Sequence, residues 1–97
     1  MRPVQLADIE VAARVLCGVA ANERHAEAEA ICQRAKIADK FRKRMGRPHP
    51  ELGSGTIMSA VRGYPQVARP DQLTPEYLDA LIAICTQLRA VRCGQNL

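Results

Sequence analysis

The sequence has no tryptophan and only three aromatic residues, Phe41, Tyr64 and Tyr77. That shortage starves a β-sandwich core and withholds the stacking platforms used to bind single-stranded nucleic acid. No stretch approaches the roughly 20 apolar residues that span a bilayer. The opening Met1-Arg2-Pro3-Val4-Gln5-Leu6-Ala7-Asp8 lacks the apolar run of a secretory signal. A cytoplasmic protein that does not enter a membrane is therefore expected. Histidine is limited to His25 and His49, and the four cysteines, spaced by 15, 53 and 8, contain no C-x-x-C pair. Zinc recruits ligands in close pairs and disulfide frameworks belong to secreted chains, so no metal, cofactor or disulfide scaffold is expected. Without a G-x-S-x-G elbow, an H-E-x-x-H helix or a Walker loop, the chain reads as non-enzymatic.

What is present suits one small helical domain over residues 1–97. Hydrophobic residues make up 47% and charged residues 25% of the chain, a balance that rules out wholesale disorder. Asp8 is the expected N-cap of a first helix, with Ile9, Ala12 or Ala13, Leu16 and Val19 on one face and Gly18 as its stop. Asn22 is expected to cap a second helix running to Met45, about 35 Å long. Its buried stripe is Ile31, Ala35, Ala38, Phe41 and Met45, with Gly46 and Pro48 ending it. Residues 46–56 hold two prolines and three glycines, which makes a long Gly/Pro loop between helices two and three. A short third helix runs from Ser54 or Thr56 to Arg62, followed by a second loop over residues 64–73.

The last helix carries the clearest start signal: Thr74 as N-cap, Pro75 in the first turn and Glu76 complementing the dipole. Tyr77, Leu81, Ile84, Leu88 and Val91 form its stripe, widened by Leu78, Ile82 and Cys85, and Gly94 stops it. Cys17, Cys32 and Cys85 are read as small core hydrophobes, and Cys93 as exposed. The fold class that follows is all-α: a compact bundle of four helices, three medium to long and one short. Many core positions are alanine, so a homodimer that completes the core is an open alternative to a monomer.

The formal net charge of +4 is unevenly spread. Residues 34–47 hold seven cations against Asp39 alone, a local +6, and the remainder of the chain is slightly acidic. Such density favours an anionic partner, set against the plainer role of complementing a helix dipole. The candidate contact residues are Lys40, Arg42, Lys43, Arg44 and Arg47 for charge, with His49, Ser54 and Thr56 for hydrogen bonds. Gly53-Ser54-Gly55-Thr56 precedes a helix start, where free N–H groups bind anions, and Arg62 can supplement that cradle. The plainer account has the glycines turning the chain and Ser54 or Thr56 capping a helix. Helix-turn-helix modules join their helices through three or four residues, whereas about ten irregular residues follow the basic helix here. Sequence-specific DNA reading is thus not expected, while non-specific backbone binding survives.

The stretch from Phe41 to Ala60, FRKRMGRPHPELGSGTIMSA, with the opening Met1-Arg2-Pro3-Val4 and Ala12-Ala13-Arg14-Val15-Leu16, resembles a small uncharacterised family of short helical alphaproteobacterial proteins. The resemblance covers most of the chain. It implies no established activity and no catalytic residues, and it implies that the long loop is a selected feature. By size and class alone the chain is also similar to phage-like DNA-packaging accessory subunits. The expectation is a small binding or adaptor module that meets an acidic or anionic partner through the basic helix end and loop. The alternative is a non-specific nucleic-acid-binding accessory protein using the same surface.

Overall fold

The computed structural model describes residues 1–92. It contains α1 (Leu6–Cys17), a 3-10 turn (Ala21–Glu23), α2 (Arg24–Met45), α3 (Ile57–Ala60) and α4 (Pro75–Arg92). The architecture is the expected all-α bundle, three longer helices and one short. Among the described residues there is no strand, only an isolated antiparallel bridge between His49 and Gly53. No helix among them is long and apolar enough to cross a membrane.

Alanine sets the spacing of the bundle. Ala12 and Ala13 of α1, Ala28 and Ala35 of α2, and Ala80 and Ala83 of α4 are all fully buried. Small side chains let backbones approach closely, and α4 packs against both α1 and α2 in this way. Leu16, Ile31, Ile57, Val61 and Ile84 supply the volume between the helices. On α4, Tyr77, Ile84 and Leu88 are buried as expected. Leu78, Ile82 and Cys85 are instead exposed, because the core flank of the stripe is the Ala80–Ala83 side. Cys32 is buried, while Cys17 is only partly so. The expected stop at Gly94 and the exposed Cys93 lie outside the described residues.

Helix starts follow local chemistry where their partners are local. Thr74 Oγ1 accepts the Tyr77 N–H at 3.1 Å, ahead of Pro75 in the first turn. Gly46 ends α2 in the left-handed region, at φ 72°, donating to the Arg42 carbonyl at 2.8 Å. Two starts differ from expectation. The N-cap of α1 is Gln5, not Asp8. Asp8 lies in the first turn, where its carboxylate accepts the Gln5 N–H at 2.8 Å and also the Met58 N–H at 3.0 Å. One buried carboxylate thus serves the beginnings of both α1 and α3.

Asn22 does not cap α2 either: it is exposed in the 3-10 turn, and α2 begins at Arg24. A cation in a first helical turn opposes the macrodipole of its own helix. Arg24 is nevertheless buried, because its Nε donates to the Leu16 and Val19 carbonyls at 3.0 and 3.1 Å. Those carbonyls lie at and just beyond the negative end of α1. Arg24 Nη1 also reaches Asp79 of α4 at 2.7 Å. The second loop is tied down similarly: Arg14 Nε donates to the Val67 carbonyl at 2.8 Å, and Arg69 pairs with Glu10 at 3.1 Å.

An Arg24→Ala variant leaves two carbonyls and a carboxylate without their donor. Removing one member of a buried charged network costs on the order of 3 kcal/mol. Chemical denaturation should show that loss, and Arg24→Lys should recover only part of it, since a single ammonium cannot span all three acceptors.

Candidate functional site

The basic end of α2 and residues 46–56 form one structural unit. The bridge at its centre has His49 N–H donating to the Gly53 carbonyl at 2.9 Å and Gly53 N–H returning to His49 at 3.1 Å. This pairing supplies two ladder hydrogen bonds within a segment rich in proline and glycine. His49 Nδ1 accepts the Glu51 and Leu52 N–H groups, both at 3.0 Å, so in the neutral ring the proton resides on Nε2. The ring meets Phe41 edge-on, with centroids 4.8 Å apart.

Two glycines weld the rest of the loop to the bundle. Gly53 and Gly55 have φ of 90° and 99°, a region that L side chains rarely adopt. A Cβ on Gly53 would lie 2.6 Å from the Ser59 side chain, and one on Gly55 would lie 2.8 Å from Asp39 Cβ. The hydroxyls beside them are engaged within the loop. Thr56 Oγ1 caps α3 by accepting the Ser59 N–H at 3.1 Å and donates to Ser59 Oγ at 2.9 Å. Ser59 Oγ donates in turn to the Thr56 carbonyl at 3.0 Å and accepts the Ser54 N–H at 3.1 Å. Since the Met58 N–H is taken by Asp8, the start of α3 already has its anion from inside the chain.

The expected cations are distributed over several places. Arg42 and Lys43 turn to Asp39, at 2.9 and 3.4 Å, and the Met1 ammonium joins them at 3.2 Å. The Asp39 side chain is only 4% exposed. Burial alone would push its carboxyl up, but hydrogen bonds from Arg42, the Met1 ammonium and Lys43, with the ammonium's own charge, outweigh it and hold the group at about 2. Arg62 stands apart, sharing a shallow depression with Ser54, Thr56 and Ser59. Arg34, at the head of the basic window, lies over the Tyr64 ring at 5.5 Å.

Lys40, Arg44 and Arg47 make a further group. Lys40 and Arg44 line a groove of about 340 Å³ with Ile37, Phe41, Met45 and His49. The Arg47 guanidinium lies 5.9 Å from the Phe41 ring centroid. Lys40, Arg44 and Arg47 form no ion pair among the described residues. Met45, expected in the buried stripe, is 49% exposed, and Ile37 is 52% exposed. The last turns of α2 overhang the core, so their apolar side chains face the loop and solvent. Sequence reasoning missed Ile37; its signal was the second apolar row it makes with Phe41 and Met45, four residues apart. Among the described residues no three His, Cys, Asp or Glu side chains are grouped to hold a metal ion.

Gly55→Ala should destabilise the fold by more than about 2 kcal/mol, since strain and a backbone clash combine. Gly63→Ala, whose Cβ meets nothing within 4 Å, is the control that should fall within about 0.5 kcal/mol of wild type. Asp39 makes a second expectation. Its folded value lies below the ordinary 3.8, so the stabilisation is complete above about pH 4 and is lost as pH falls toward 2. Urea titrations should therefore find Asp39→Asn less stable than wild type at pH 7, with the two converging toward pH 2.

No curated protein and no solved structure matches this chain. The frame just described runs from Arg2, whose N–H donates to the Gly55 carbonyl at 3.0 Å, to Leu88 in the core. Residues 2–88 match the model of the domain of unknown function DUF7742, and the chain belongs to that family.

Proposed function

We propose that this chain is a non-catalytic binding module whose α2 end and adjoining loop receive an acidic protein partner. The observation that carries the reading is the pairing of an apolar floor, exposed at Ile37 and Met45 and half-buried at Phe41, with the cations Lys40, Arg44 and Arg47 beside it. Three cations around one groove that form no ion pair among the described residues raise the local positive potential. The exposed Ile37 and Met45 side chains beside them gain from being covered, so a partner bearing both carboxylates and apolar groups relieves both costs. Lys43, 69% exposed on Asp39, adds its field at the edge, and Arg42 fixes the helix end beneath it. His49 lends its ring to the groove wall, while Ser54, Thr56 and Arg62 offer a secondary contact around α3.

The apolar floor favours a protein over a nucleic acid, because a phosphate backbone gains nothing from Ile37 or Met45. The reading includes a cytoplasmic setting in alphaproteobacteria. The Phe41–Ala60 resemblance supports the lineage, and the free thiols of Cys17, Cys32 and Cys85 suit a reducing compartment.

Two measurements test it. Fluorescence anisotropy with a single-stranded DNA oligonucleotide should show no saturable binding at roughly 50 mM salt. Binding that falls steeply toward roughly 200 mM would favour the nucleic-acid alternative. Affinity capture from native lysate should yield proteins retained by wild type and lost with Lys40→Glu/Arg44→Glu. Equal capture by both proteins would reject the surface.

A further inference from the structure

We infer that the occupant of the α2 groove is an acidic amphipathic helix, an inference that rests on the binding reading above. Ile37, Phe41 and Met45 follow one another at intervals of four residues, a ridge about 12 Å long. Lys40 and Arg44 form a parallel row along one flank, about 6 Å apart at helical rise. The loop closes the other flank through His49 and brings Arg47 over Phe41. The surface therefore presents an apolar line with Lys40 and Arg44 along one flank, His49 on the other and the Arg47 guanidinium over its middle.

An extended segment laid on that line would bury backbone N–H and C=O groups against side chains that cannot pair them. Among the described residues no strand offers an edge for such a segment to extend. A helix satisfies its own backbone and enters a groove with apolar residues at three- and four-residue spacing. Carboxylates four residues apart on its flank would match Lys40 and Arg44. Met45, with its flexible thioether, can adapt to the apolar side chain it meets. A polyanion without an apolar stripe would use the rim and leave the floor open.

The test uses the full chain as target and a phage-displayed library of random peptides of about 16 residues, roughly 24 Å as a helix. Two variants change exposed side chains only: Lys40→Glu/Arg44→Glu and Ile37→Ser/Met45→Ser. Circular dichroism confirms that each keeps its helical signal. The expected result is enrichment of Asp- and Glu-rich sequences with apolar residues at three- and four-residue spacing. Their affinity should drop at least about tenfold for either variant, a step of about 1.4 kcal/mol. Acidic sequences without that spacing, indifferent to Ile37→Ser/Met45→Ser, would overturn the helical occupant and leave an acidic partner standing. No enrichment, or peptides that bind Lys40→Glu/Arg44→Glu as well as wild type, would remove both.

Discussion

A carboxylate taken out of water must recover several kcal/mol of lost hydration from groups brought to it, and Asp39 obtains that recovery from three cations in two parts of the chain. Arg42 and Lys43 come from the next turn of its own helix, and the Met1 ammonium comes from the start of the chain. Gly55 presses its backbone against the same residue from the loop. The amino-terminal segment, the end of α2 and the Gly/Pro loop are thereby fixed relative to one another. Everything on the outer side of that junction, including the groove, inherits its shape from it. The ion cluster also sorts the basic window, engaging Arg42 and Lys43 with Asp39 while Lys40, Arg44 and Arg47 remain outside it.

Arg24 does comparable work at the other end of the bundle. It sits where its own helix disfavours a cation and is kept there by two carbonyls at the end of α1 and by Asp79. The alanine seam then allows α1, α2 and α4 to close to short range, which fills the core with little aromatic bulk beyond Tyr77. With so little volume in the seam, orientation falls to these polar pins. Arg24, Asp8 and Asp39 set how the helices are turned, and the apolar residues fill what remains.

What could be read from the sequence follows the distance over which each interaction acts. Thr74-Pro75 and Gly46 were legible because a cap and its helix are neighbours in the chain. Asp8 has the local signature of a cap, but Gln5 caps α1 and the second partner of Asp8, Met58, lies fifty residues away. Arg24 carried no local signal, since its partners are at positions 16, 19 and 79. The period of α2 identifies an apolar face but not that its final turns project beyond the core, where Met45 and Ile37 are exposed. In the loop, the glycines were visible, while the surfaces they press against, Ser59 and Asp39, are created only by folding. The charge density of residues 34–47 was evident; its division between an internal carboxylate and an open groove was not.

A helix of four residues has almost no tendency to persist by itself, and α3 starts only because Thr56 and Asp8 complete its first turn. The Asp8 that does so belongs to the opening turn of α1, and Arg2 holds the neighbouring Gly55. The first eight residues and residues 53–61 therefore form a single opening unit. If the leading segment peels away, α3 melts with it, and amide protons in both stretches exchange with solvent at a common rate.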